Sequence, residues 1–127
     1  MLSFTDFRAI DGVPIYQQII HYIKQGLAAG IVTDGEELPS RRLLSATLAV
    51  NPNTVQKAYH LLEEDGLITS RAGAASFVCA DETRIAAIRS ELYRAELEGA
   101  VRAMKRMGLG LEDAAALLRQ LYEEAGS

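Results

Sequence analysis

Apolar residues recur at intervals of three and four along several stretches of the chain, which is typical of helices with one buried face. The first stretch begins after Pro14 and ends before Gly30. Its apolar positions are Ile15, Ile19, Ile20, Ile23 and Leu27. Proline is favoured at the start of a helix and glycine just after its end. The pattern therefore predicts a first helix between Pro14 and Gly30.

Two further helices are predicted from their capping residues. Ser40 can cap a short helix over residues 41–48, because a serine hydroxyl accepts a hydrogen bond from a free amide of the first turn. The Asn-Pro pair at 51–52 is a second start signal, since asparagine caps helices well and proline fits the first helical position. A third helix is expected from Pro52 to about Asp65, with Gly66 ending it.

Two runs of strand-forming residues follow, at 67–70 and 76–79, and small residues separate them. This arrangement predicts a β-hairpin. Three helices followed by a hairpin form the order of a winged helix-turn-helix, so we expect that fold over residues 1–80.

The remainder of the chain, residues 81–127, is predicted to form two helices, one from 81 to about 107 and one from 111 to about 124. The Gly-Leu-Gly sequence at 108–110 separates them. Their apolar side chains either form an internal core or bind a second copy of the chain, and two helices alone bury little surface. We therefore expect a helical dimerisation domain and a protein that is mainly α-helical. The expected interface residues are Ile85, Ile88, Leu92, Leu97, Val101, Met104, Leu117, Leu118 and Leu121.

The charge distribution singles out one part of the chain. The net charge is −4, which by itself argues against nucleic-acid binding, because phosphates are neutralised by Lys and Arg. Between residues 38 and 62, however, Arg41, Arg42 and Lys57 are present and no acidic residue occurs. Arg41 and Arg42 open the second helix, where cations oppose the helix dipole. That mildly unfavourable placement suggests a negatively charged partner.

The third helix has an inner and an outer face when its residues are placed 100° apart. The inner face is predicted to hold Val55, Ala58, Tyr59 and Leu62. The outer face holds Asn53, Lys57 and His60, flanked by Thr54 and Gln56. Asparagine and glutamine can pair with adenine in the major groove, and lysine can reach guanine or phosphate. Any surface helix has a polar side, so this face alone does not indicate DNA binding. It does so only together with the preceding short helix and the following hairpin.

Other classes of function are less well supported. Cys79 is the only cysteine, and His21 and His60 are too widely spaced to complete a metal site with it. No arrangement of acid, base and nucleophile and no phosphate-binding loop occurs, so we expect neither an enzyme nor a cofactor. The chain has no long apolar run and no signal-like start, so we expect a cytoplasmic protein that has no membrane partner.

Four segments of the chain resemble the GntR family of bacterial regulators. They read PIYQQII at 14–20, LPSRRLL at 38–44, VNPNTVQKAY at 50–59 and EEDGLI at 63–68. The resemblance covers residues 14–78, and the short two-helix tail is similar to the YtrA-type branch, in which such helices build a homodimer. It implies a regulator that represses from a palindromic operator in double-stranded DNA, often at transporter genes.

The resemblance also suggests which residues contact DNA. Arg42 occupies the position of the motif arginine, and Asn51, Asn53, Thr54, Gln56 and Lys57 occupy recognition-helix positions. The hairpin tip departs from the family pattern, because alanines replace residues that usually supply charge or close approach; Arg71 and Gly73 remain as its candidates. The complete candidate set is Arg41, Arg42, Asn51, Asn53, Thr54, Gln56, Lys57, His60, Arg71 and Gly73.

Two questions stay open at this point. A winged helix can also bind a protein, since fold alone does not fix function, and the steep salt dependence of DNA binding would separate these alternatives. A small-molecule effector could bind between the winged helix-turn-helix of residues 1–80, which we call the head, and the helical tail of residues 81–127, or at the dimer interface near residues 85–92. The residues at these places indicate no particular ligand chemistry.

Overall fold

The computed structural model describes residues 1–71 and 75–126, and within them five helices and three short strands follow one another. The elements are α1 (Ile15–Ala28), β1 (Glu37–Leu38), α2 (Arg41–Leu48), α3 (Pro52–Glu64), β2 (Ile68–Ser70), β3 (Ser76–Val78), α4 (Glu82–Arg106) and α5 (Leu111–Ala125). The mainly helical fold expected from the sequence is confirmed.

The predicted caps fix the boundaries of α2 and α3. The Ser40 side chain accepts a hydrogen bond of 3.0 Å from the backbone amide of Leu43. The Asn51 side chain accepts one of 2.8 Å from the amide of Asn53. Between the two helices Ala49 adopts a left-handed backbone conformation with φ of 56°, which turns the chain sharply. The helix-turn-helix therefore results from local capping chemistry.

The inner face of α3 lies in the core of the head. Val55, Ala58, Tyr59 and Leu62 are fully buried, as the helical pattern predicted, and α3 packs against α1 and α2. Such burial removes apolar surface from water and provides most of the stabilisation of a small domain. It also fixes which side of α3 faces outward.

The wing is a three-stranded antiparallel sheet with β3 between β1 and β2. Glu37 pairs with Phe77 and Leu38 with Ser76, so β1 adds a strand that the sequence analysis did not predict. A two-residue strand is too short to show an alternating pattern, and its partner is distant in the chain. The expected hairpin is present as β2 and β3.

The first residues of the chain also belong to the core, although no periodic pattern indicated it. Leu2 and Phe4 are buried, and the Leu2 amide donates a 2.8 Å hydrogen bond to the Glu37 carbonyl. Phe4 stacks on Tyr22 of α1 with ring centroids 4.8 Å apart. The amino-terminal segment thus covers one side of α1.

The chain forms two compact units, Met1–Arg89 and the part from Ser90 onwards, whereas the sequence analysis placed a boundary after residue 80. The first turns of α4 belong to the head, where Arg84 donates a 2.6 Å hydrogen bond to the Asp65 carbonyl and Arg89 one of 2.8 Å to the Ala28 carbonyl. Ile88 is only 6% exposed. It is a core residue of the head, so the expectation that it lies in a dimer interface needs correction.

The second unit consists of the rest of α4 and of α5. No described residue of α5 is buried, and many large apolar side chains of this unit are exposed. They are Tyr93, Leu97, Val101, Met107, Leu111, Leu117, Leu118, Leu121 and Tyr122. None of the described helices has the length and apolar character needed to span a membrane.

Candidate nucleic-acid interface

The outward face of α3 presents polar side chains that are not used within the head. Asn53, Gln56 and Lys57 are exposed and Thr54 is half-buried. The side-chain amides of Asn53 and Gln56 form no hydrogen bond with any described residue. Each amide offers a donor and an acceptor on one plane, the arrangement that pairs with the edge of adenine.

Two arginines lie at the start of α2 and differ in their surroundings. Arg42 is exposed, and its guanidinium forms no hydrogen bond or ion pair with a described residue. Arg41 is half-buried and its guanidinium carbon lies 5.2 Å from the ring centroid of Tyr59. The Nε atom of Arg41 is buried without a hydrogen-bond partner among the described residues. Arg42 is therefore the more accessible of the two cations.

Tyr59 links this arginine to the core. Its hydroxyl donates a 2.7 Å hydrogen bond to the Pro39 carbonyl, just before α2 begins. Burial raises the pKa of Tyr59 far above its ordinary value, and the nearby charge of Arg41 opposes that rise. The phenol consequently keeps its proton and remains a donor.

Two more cations of the candidate set rest on aromatic rings. The Lys57 ammonium lies 4.1 Å from the ring centroid of Tyr16 in α1. The Arg71 guanidinium lies 4.4 Å from the ring centroid of Phe77 in β3. A cation over a ring face is attracted by the negative charge density there. The sequence analysis identified the cations, whereas the rings beneath them were missed because each contact depends on how separate elements pack together.

Three members of the candidate set have a different status in the structure. The Asn51 side chain caps α3, so its Oδ1 atom is already engaged. His60 pairs with Glu64, with 2.6 Å between Nε2 and Oε1, at the acidic end of α3. Gly73 lies outside the described residues. The remaining candidates belong to α2, to the first turns of α3 and, in the case of Arg71, to the position just after β2.

Comparison with known proteins identifies the family. The model of the family described as bacterial regulatory proteins, gntR family, matches residues 15–78. The HTH-type transcriptional regulator YhcF of Bacillus subtilis is 35% identical over 100 residues, covering 79% of this chain and 83% of that protein. The HTH-type transcriptional repressor YtrA of the same species is 43% identical over 65 residues, which are 51% of this chain and 50% of that protein.

A solved structure extends the likeness beyond the head. A GntR family transcriptional regulator from Listeria monocytogenes superposes with a TM-score of 0.79 at 32% identity, covering 88% of this chain and 98% of that one. The homologues and the fold are those of transcriptional regulators, which are not enzymes. The chain belongs to the GntR family of DNA-binding transcriptional regulators and is similar to its YtrA-type branch.

Proposed function

We propose that the protein is a transcriptional repressor that binds an inverted-repeat operator as a homodimer. One observation carries the proposal: on the outward face of α3, the side-chain amides of Asn53 and Gln56 have no partner among the described residues. Cationic side chains at the start of α2 and on α3 accompany them. This face combines groups for reading bases with groups for holding phosphates.

Within this proposal the side chains have separate tasks. Asn53 and Gln56 pair with base edges in the major groove, since both lie in the first turns of α3, the part of a recognition helix that meets bases. Arg42, Arg41 and Lys57 hold phosphates or guanine. The complete proposed contact set is Arg41, Arg42, Asn53, Thr54, Gln56, Lys57 and Arg71, with Asn51 acting through its cap and His60 at the margin.

The homodimer is supported by the exposed apolar side chains of the second unit. Leu97 is 56% exposed and Leu121 is 52% exposed in the single chain. Exposed apolar side chains in such number mark a surface that binds another protein. A second copy gives two recognition helices about 34 Å apart, which matches one turn of DNA and requires an inverted repeat.

Repression is supported by the relative YtrA, which is itself a transcriptional repressor. Regulation of transporter genes is supported by the family resemblance. Both activities would take place in the cytoplasm, where prokaryotic DNA is located.

The proposal can be tested by selecting duplexes from a random-sequence library with the full chain and measuring the affinity of variants for them. We expect Asn53→Ala and Gln56→Ala to cost about 1–3 kcal/mol on the selected sequence and to relax the base preference. Arg41→Ala should weaken all duplexes alike. Gln25→Ala removes an exposed glutamine of α1 and serves as the matched control.

Two results would contradict the proposal. One is that Asn53→Ala and Gln56→Ala lose as much affinity for random duplexes as for the selected duplex, as Arg41→Ala is expected to do. The other is an affinity that hardly changes with salt, because neutralising several phosphates makes DNA binding fall steeply as salt rises. The second result would favour a protein-binding module, the alternative that the fold alone leaves open.

A further inference from the structure

Among the described residues, three basic side chains of the head lie over aromatic rings, and one pair connects α1 with α3. The Lys57 ammonium is 4.1 Å from the centroid of the Tyr16 ring. Tyr16 is half-buried in the first turn of α1, whereas Lys57 is exposed. The Tyr16 hydroxyl accepts a 3.1 Å hydrogen bond from Nε2 of Gln17. The ring is thus partly covered, and one of its faces contacts the lysine.

A ring at this position lowers the entropy cost of fixing the Lys57 side chain on a ligand. A free lysine side chain has many rotamers, and fixing it on a ligand loses that freedom. When the ring already holds the ammonium, less freedom remains to be lost on binding. The ring face occupies one side of the ammonium, and the N–H groups that point away from it remain available to an acceptor.

The direction of the side chain suits this role. Side chains on a helix lean towards its amino end, so Lys57 leans towards the turns of α3 that carry Asn53 and Gln56. The ring that holds it comes from another helix, which is fixed to α3 through the core. The ammonium is therefore held on a ring that belongs to the packed scaffold of the head.

We propose that Tyr16 is a positioning residue for Lys57. Tyr16 holds the Lys57 ammonium where this ammonium contacts DNA, and Tyr16 does not contact DNA. The inference rests on the proposed function, in which Lys57 contacts the duplex. It adds that Lys57 stays on the ring in the complex. The contribution of Tyr16 to DNA affinity then passes entirely through Lys57.

Among the three rings, Tyr16 is the one that can be replaced with the least effect on the core. Tyr59, beneath Arg41, is fully buried, so its truncation would unfold the head. Phe77, beneath Arg71, lies in the middle strand of the sheet. A change at Tyr16 affects the first turn of one helix, and its effect on folding can be followed by thermal unfolding.

The test is a double-mutant cycle in the full chain with a fluorescein-labelled duplex carrying the selected sequence, read by fluorescence anisotropy. Tyr16→Leu should lower affinity about 2- to 5-fold, the range of an exposed cation–π contact. Tyr16→Phe keeps the ring and should bind like the wild type. Lys57→Ala should lower affinity, and adding Tyr16→Leu to it should cause no further loss. Tyr16→Met provides a second ring-free variant if Tyr16→Leu does not fold.

Several outcomes would overturn the inference. Losses that simply add in the double variant would mean that Tyr16 acts independently of Lys57, and loss in Tyr16→Phe would indicate a direct role of the hydroxyl. Tighter binding by Tyr16→Leu would mean that the lysine must leave the ring to bind. No effect of Lys57→Ala would remove Lys57 from the interface and overturn the inference, while Asn53→Ala and Arg42→Ala would still report whether the proposed function stands.

Discussion

At the scale of single residues, the head places its cations on rings that its own core supplies. Arg41 lies on Tyr59, and the hydroxyl of Tyr59 is bonded to the Pro39 carbonyl beside the start of α2. One buried phenol thereby fixes the entry of α2 and supports an arginine of the candidate interface. Because a buried hydroxyl without a partner is costly, the Pro39 bond ties the position of α2 to that of α3.

The protonation of Tyr59 leads to a prediction about stability in alkali. Burial raises the pKa of Tyr59 in the folded chain, whereas in the unfolded chain a tyrosine ionises near pH 10. Below that pH Tyr59 is protonated in both the folded and the unfolded chain, and its contribution to stability is fully present. Above it only the unfolded chain loses the proton, so stability falls with rising pH by about 1.4 kcal/mol per pH unit.

Tyr59→Phe isolates this effect. At neutral pH the variant should be less stable than the wild type by about 1–2 kcal/mol, because the Pro39 carbonyl loses its donor. The difference should shrink as the pH rises above about 10, measured by denaturant unfolding across the alkaline range. Tyr122→Phe, at a site that is 72% exposed, controls for the loss of a phenol hydroxyl. A difference that stays constant with pH would contradict the prediction.

At the scale of elements, local chemistry could be predicted from the sequence and long-range pairing could not. Ser40 and the Asn-Pro pair at 51–52 mark the starts of α2 and α3 because a cap acts on amides two or three residues away. β1 was missed because its two residues are defined by pairing with Phe77 and Ser76. The same reason applies to the contact of Lys57 with Tyr16, which depends on how α1 packs on α3.

The end of α3 offers a prediction at this scale. Gly66 has a φ of +75°, and a Cβ atom there would lie 2.5 Å from Nη1 of Arg84. That arginine donates to the Asp65 carbonyl at the end of α3. Gly66→Ala therefore introduces backbone strain and also displaces the arginine from its hydrogen bond. Gly30 has a φ of +77°, and a Cβ atom there would meet no described atom within 4 Å, so Gly30→Ala introduces the strain alone.

We therefore expect Gly66→Ala to destabilise the chain by more than Gly30→Ala, by about 1 kcal/mol, the typical value of one hydrogen bond. Thermal or denaturant unfolding of the two variants measures the difference. In an Arg84→Ala background the excess should disappear, because the arginine is no longer there to be displaced. Equal costs in the two single variants would show that the contact of Arg84 with α3 adds nothing to stability.

At the scale of the whole molecule, the two units differ in how completely they bury their apolar side chains. The head has a core that extends from Leu2 to Ile88, whereas α5 has no buried residue among those described. Sequence periodicity predicted both sets of helices, but it could not tell which apolar positions the chain covers by itself. Ile88 shows the difficulty, because its place in the helical pattern is equivalent to that of Leu92 while the structure buries it in the head.

The proposed homodimer can be tested by placing a charge on the exposed apolar surface of α5. Leu118 is 49% exposed, and in a dimer interface Leu118→Glu would bury an unpaired carboxylate, which is strongly unfavourable. We expect the variant to be a monomer at micromolar concentration in size-exclusion chromatography with light scattering. Its affinity for the inverted repeat should fall steeply because two linked heads bind far more tightly than one, while its affinity for a single half-site should not change.

Leu111→Glu is the matched control, since Leu111 is 81% exposed and an acidic residue in the first turn of a helix is favoured by the dipole. A dimer that persists in Leu118→Glu would place the subunit contact elsewhere.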